Sequence, residues 1–155
     1  EPEFPEPLLY IARLELAQQK PDKALLMLEN LRKKFPKNSD IILYLGYANE
    51  KLKFNVNAEA LYRKILLKNP ENYKALLRLG AVLIKLGKRE EARSFLESLT
   101  KKYPMYTVAW WNLGIVYFQL GEMRLAELAW EESLRLEPEN NQVRVSLEHL
   151  REEIL

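Results

Sequence analysis

The chain contains no cysteine, which excludes a disulfide framework, thiolate metal ligation and thiol catalysis. It has one histidine, His149, so His-rich metal sites are excluded and little is left for Ser/His catalysis. Glycine is scarce, and no phosphate-cradling loop can be built from it. Gly80 and Gly87-Lys88 stand seven residues apart rather than five, and Arg89 follows where Ser or Thr would hold magnesium. Long hydrophobic runs are missing too. The longest uncharged apolar stretch, Met105 to Leu120, is broken by Thr107, Asn112 and Gln119, which makes it too short and too polar for a membrane span. Adjacent carboxylates at Glu90-Glu91, Glu131-Glu132 and Glu152-Glu153 point about 100° apart on a helix and read as solvated faces, not acid/base pairs. Neither a catalytic constellation nor a cofactor or metal site emerges. The chain opens at Glu1 without a methionine or a signal-like segment, so it reads as a processed or excised piece.

What is present is an ordinary globular balance of 48% hydrophobic and 30% charged residues over 155 positions, enough chain to bury a core. The net charge of +2 hides an asymmetry. Residues 1–104 carry 20 Lys+Arg against 13 Asp+Glu, whereas residues 105–155 carry 4 against 9. Such a chain can steer charged partners to one end or associate head to tail. The overall charge is too small for a dedicated nucleic-acid binder.

A ruler of 34 residues runs through the sequence. Pro36, Pro70, Pro104 and Pro138 keep that period, as do Ala24, Ala58, Ala92 and Ala126. The small residues Ala12, Gly46, Gly80 and Gly114 follow it, in phase with Leu8, Ile42, Leu76 and Trp110 and with Ile11, Leu45, Leu79 and Leu113. Within a unit, residues 73–86 are apolar nearly all round, Gly87 stops that helix, and residues 89–103 form a second amphipathic segment closing at Pro104. Asn38, Asn72 and Asn140 stand two residues after a closing proline, where the next helix needs an N-cap. Small residues at Gly80 and Ala92 imply close helix approach. The spacing predicts an all-α chain of eight helices in four antiparallel pairs and a ninth segment from Asn141, with no strand. Glu1 to Pro7, with three prolines, reads as an extended lead-in. Val143, Leu147, Leu150 and Ile154 form one stripe of a terminal capping helix.

These columns resemble the tetratricopeptide repeat family, whose motif carries Trp, Leu-Gly and Tyr on the first helix, then Ala, Phe and a closing Pro. The fourth unit matches best, through Trp110, Leu113-Gly114, Tyr117, Gly121, Ala126 and Pro138. The first departs, with Ala12 for the Gly and Glu15 for the Tyr, and Leu31, Ile65 and Leu99 occupy a usually small position. The resemblance covers residues 5–138 and implies a right-handed α-α superhelix: one array over residues 1–155, with repeats at 5–38, 39–72, 73–106 and 107–140 and a cap at 141–155.

It also implies that the first helix of each pair lines a concave groove that binds peptides. Carried over, Leu9, Leu43, Leu77 and Trp111 form the groove floor. Tyr10, Tyr44, Arg78 and Asn112 make the next row, followed by Arg13, Tyr47, Ala81 and Ile115, then by Leu16, Glu50, Ile84 and Phe118. Lys74, Arg78 and Arg13 are its main cations. Trp110 and Trp130 are read as core. One subfamily clamps the acidic C-terminus of chaperone proteins. Lys74 and Arg78 match its basic pair, but Leu9, Arg13 and Tyr44 replace the Lys and two Asn of the remaining positions.

The expected function is a non-catalytic protein-interaction scaffold. Its ligand would be a protein or peptide segment, acidic or C-terminal, with an apolar anchor and no small-molecule substrate. The alternatives are homo-oligomeric assembly through the oppositely charged ends, RNA binding by stacking on groove tyrosines, which the interrupted basic face disfavours, and a regulatory part of a larger enzyme. Lack of cysteine suits the cytosol and equally permits a bacterial envelope.

Overall fold

A computed structural model of the chain describes residues 4–154. Among these there are nine helices and no strand: α1 (Glu6–Ala17), α2 (Pro21–Lys34), α3 (Ser39–Lys51), α4 (Asn55–Lys68), α5 (Tyr73–Lys85), α6 (Arg89–Lys102), α7 (Thr107–Gln119), α8 (Met123–Leu136) and α9 (Asn141–Ile154). None is long and apolar enough to cross a membrane. The helices form two compact units, Glu1–Val82 and Leu83–Leu155.

The helix ends follow from local chemistry. Asn38 Oδ1 accepts from the backbone N–H groups of Asp40 and Ile41 at 3.0 and 3.1 Å. Asn72 caps α5 through Ala75 N at 3.1 Å, and Asn140 caps α9 through Val143 N at 3.3 Å. Each hairpin turns through a left-handed residue at one fixed place in the repeat. Gly87 and Gly121 supply it in two turns, with φ of 69° and 77°, but Gln19 and Lys53 supply it in the others, with φ of 60° and 66°. The side chains of Gln19 and Lys53 make those two turns strained.

In the first unit α1 packs on α2, α2 on α3 and α3 on α4. Ala12, Ala24, Leu28, Ile41, Leu45 and Tyr62 are fully enclosed there. The close approach expected of the small column is real at Gly46, where an added Cβ would come within 2.5 Å of the Tyr62 ring. The bulky Leu31, Ile65 and Leu99 are absorbed into buried sites. In the second unit α6 packs on α7, α7 on α8 and α8 on α9. A Cβ on Gly114 would overlap the Trp130 indole.

Helix α9 buries Val143, Leu147 and Leu150 and is pinned to α8 by Arg151, whose guanidinium meets Glu127 at 2.9 Å and also Glu131. The side chain of Ile154, expected on the same stripe, lies outside the described residues. Two expectations need correction. Helix α1 already begins at Glu6, with Pro7 in its first turn, so the extended lead-in cannot reach Pro7; Glu1, Pro2 and Glu3 lie outside the described residues. Trp110 is only half-buried, and its indole N–H donates to the Pro104 carbonyl at 2.8 Å. It therefore fastens the turn before α7 instead of filling the core as Trp130 does.

Candidate functional site

Helical spacing brings Leu43, Tyr44 and Tyr47 of α3 and Tyr73, Lys74, Leu77 and Arg78 of α5 around one cavity of about 280 Å³ in the first unit. Its aromatic rings carry cations. The Arg78 guanidinium carbon sits 4.1 Å from the Tyr47 ring centre, and Lys51 Nζ lies 5.3 Å from the same ring. Lys74 Nζ lies 5.9 Å from the Tyr73 ring, and Arg13, reaching from α1, covers Tyr44 at 5.0 Å.

Beside this wall lies a buried carboxylate. Glu50 is 4% exposed; it accepts a 2.6 Å hydrogen bond from Tyr62 Oη and lies 3.8 Å from Arg78 Nη1. Burial, with Glu50 adding to it, pushes the Tyr62 phenol far above its ordinary range, so it stays a donor. Arg78 is thereby partly compensated and fixed in place, while Lys74 stays exposed. The rim is cationic and the lining mostly apolar and tyrosine-rich. Such a surface can grip a carboxylate beside an apolar side chain.

A second cavity, of about 510 Å³, lies wholly in the second unit. Trp111, Ile115, Phe118 and Gln119 of α7, Trp130 of α8, and Val145, Ser146, His149 and Leu150 of α9 line it. Trp111 and Phe118 flank Trp130 with ring centres 5.6 and 6.0 Å away, and Trp130 Nε1 donates to the Trp111 carbonyl at 3.1 Å. His149 Nδ1 stands 3.4 Å from Glu153.

Of the groove residues named from sequence, Leu43, Tyr44, Tyr47, Lys74, Leu77 and Arg78 come together in the first cavity, and Trp111, Ile115 and Phe118 in the second. Leu9, Tyr10 and Arg13 line neither, although Arg13 reaches Tyr44. Asn112 is 6% exposed, lines neither cavity, and its side-chain nitrogen has no hydrogen-bond partner. Sequence reasoning missed Tyr73, which lies one residue before Lys74, and the contribution of α9 to the second cavity. It placed Glu50 in a groove row without its Tyr62 partner. The two are twelve residues apart, on different helices, and only the closeness of helix approach at Gly46 hints at the pairing. Among the described residues no cluster of metal-ligating side chains is present.

Tetratricopeptide repeat profiles match residues 5–48, 55–114 and 108–140. The chain belongs to the tetratricopeptide repeat family. Its fold is the helical-hairpin solenoid of that family, a family of interaction scaffolds that is in general non-catalytic. Among solved structures, this tetratricopeptide chain is similar to TTC0263, a thermophilic TPR protein of Thermus thermophilus, at 22% identity with a TM-score of 0.84, covering 97% of this chain and 83% of that one. It is also similar to MamA from Desulfovibrio magneticus, at 22% identity and a TM-score of 0.82, covering 96% and 84%. At these identities the likeness is one of fold. Comparison with curated protein sequences finds no significant match.

Proposed function

We propose that this tetratricopeptide chain is a non-catalytic scaffold that binds a peptide segment of another protein against α3 and α5, and that residues 1–155 act as one array of four repeats with α9 as its cap. The observation that carries the reading is the cavity between Tyr44, Tyr47, Tyr73 and Leu77, rimmed by Lys74 and Arg78. Its apolar and aromatic lining suits an apolar anchor, and its cations suit a neighbouring carboxylate, from an acidic side chain or a free C-terminus. Rigid tyrosines offer contact area at low entropy cost. Stacking on Tyr47 holds Arg78 ready, so less ordering is needed on binding.

Isothermal titration with short peptides pairing a Leu or Phe anchor with an acidic residue tests this, each peptide made with a free and an amidated C-terminus. Lys74→Glu is the clean variant, because Lys74 is exposed; Arg78→Glu would set a second carboxylate against buried Glu50 and disturb the fold as well. Lys74→Glu is expected to weaken binding about tenfold at low salt and less at high salt. Leu77→Ala is expected to weaken it with little salt dependence. Unchanged affinity in both variants would remove this face from the binding site.

A further inference from the structure

The two cavities are one feature of the repeat, met twice. The first lies between α3 and α5 and the second between α7 and α9. Leu43 and Trp111 share a repeat position, as do Tyr47 and Ile115, and Leu77 and Val145. What differs is the contribution of the later helix. Helix α5 sends Arg78 over the Tyr47 ring and sets Lys74 on the rim. At the same two positions α9 carries Ser146 and Gln142. Ser146 lines the second cavity, but its side chain ends at a hydroxyl and supplies no cation. An aromatic wall is present all the same, because Trp111 and Phe118 stand one turn to either side of Ile115. Tyr44, Tyr47 and Tyr73 each carry a cation from the chain itself. Among the described residues none lies over Trp111, Phe118 or Trp130. The second cavity, at about 510 Å³ against about 280 Å³, is the first without its arginine.

We propose that the second cavity is a binding site for an arginine side chain of a partner protein, its guanidinium stacked on the Trp111–Phe118 wall and its charge met by Glu153. Charge selects this occupant. Helix α7 has no charged residue from Thr107 to Gln119. Of the residues lining the cavity only His149 titrates, and the Glu153 carboxylate stands 3.4 Å from its Nδ1. Residues 105–155 carry 9 Asp+Glu against 4 Lys+Arg, so the surrounding field draws cations. Arginine suits the wall better than lysine, because a planar guanidinium is weakly hydrated and stacks on aromatic faces. Its stem can lie along Ile115 and Val145. The site is separate from the α3–α5 cavity and its ligand has the opposite charge, so either reading can fail alone.

The probe is an acetylated, amidated peptide with one arginine between two leucines, titrated into the whole chain and followed by nuclear magnetic resonance of the indole N–H groups. Beside it runs the same peptide with citrulline, which keeps the shape and lacks the charge. At about pH 8, where an imidazole is neutral, the arginine peptide is expected to shift the Trp111 signal and to leave that of Trp110, which lines neither cavity. The citrulline peptide is expected to bind about tenfold more weakly. Ser146→Arg rebuilds the arrangement of the first cavity; the installed arginine is expected to fill the site and abolish binding, with helical circular dichroism unchanged. Trp111→Leu installs the residue that Leu43 and Leu77 supply at that position; it is expected to weaken binding about tenfold, with Trp130 as the reporter. Glu153→Gln is expected to weaken it about threefold at low salt and less at high salt. Failure of the arginine peptide to bind the wild type would overturn the proposal. So would equal binding of the citrulline peptide, or binding that survives both Ser146→Arg and Trp111→Leu.

Discussion

Tyr62 and Trp130 occupy the same repeat position in different units, 68 residues apart, as do Gly46 and Gly114, and Glu50 and Phe118. In both places an aromatic ring lies over a glycine that has no room for a Cβ. What the ring meets next differs. Tyr62 donates its hydroxyl to buried Glu50, and the cavity alongside is rimmed with cations. Trp130 packs at a tilt against Phe118 and Trp111 and spends its N–H on a backbone carbonyl, and the cavity alongside is lined mainly by aromatic and aliphatic side chains. One backbone slot can thus be finished in polar or apolar chemistry, with a glycine facing the ring in both.

Trp130→Ala breaks that comparison most severely. It removes a buried indole on which two other rings rest, and denaturant unfolding is expected to show a loss of about 3–5 kcal/mol. Tyr62→Phe keeps the ring and removes only the donor to Glu50, at an expected cost of about 1–3 kcal/mol. Tyr62→Phe/Glu50→Leu should recover most of this, since an apolar pair no longer leaves a buried carboxylate short of a donor. No such rescue is expected for Trp130→Ala.

The hairpin turns offer a second, smaller contrast. Gly87 and Gly121 adopt their positive φ freely, whereas Gln19 and Lys53 carry side chains there. Gln19→Gly and Lys53→Gly are each expected to raise stability by about 0.5–1 kcal/mol, measured by the denaturation midpoint. The smallest effect concerns acid. Hydrogen bonds from Arg151 and then Arg124 hold the Glu127 carboxyl below its ordinary value of 4.5. A lowered folded-state value stabilises the fold at pH above the ordinary one, and that contribution fades as pH falls through the lowered value. Protection factors for backbone hydrogen exchange in α9, taken against the unfolded-chain rate at the same pH, should therefore fall below about pH 4.5, and Arg151→Gln should flatten this dependence.

The fold was largely legible because the constraints that build it are local and periodic. Closing prolines, capping asparagines and the small column recur every 34 residues, and each acts on its own turn or on the neighbouring helix. The site was legible only in part. Rows read from α3 and α5 converge because a four-residue spacing fixes which side chains share a face. Partnerships across helices escaped that logic: Tyr62 with Glu50, Arg13 with Tyr44, and α9 with Trp111 and Trp130. They depend on how far each long side chain reaches, which periodicity does not encode. The shared turn position of Gln19 and Lys53 was visible as a column, but glutamine and lysine carry no sign of a left-handed backbone.

The placement of the tryptophans around the second cavity has an optical consequence. All three tryptophans, Trp110, Trp111 and Trp130, belong to the second unit, while five of the eight tyrosines fall within residues 1–82. Emission excited at the red edge of the absorption band, where tyrosine is dark, therefore comes from the second unit alone. Spectra excited at shorter wavelength add the tyrosines, among them Tyr44, Tyr47 and Tyr73 of the first cavity. Red-edge emission thus lets events at the second cavity be followed on their own, without attaching a dye.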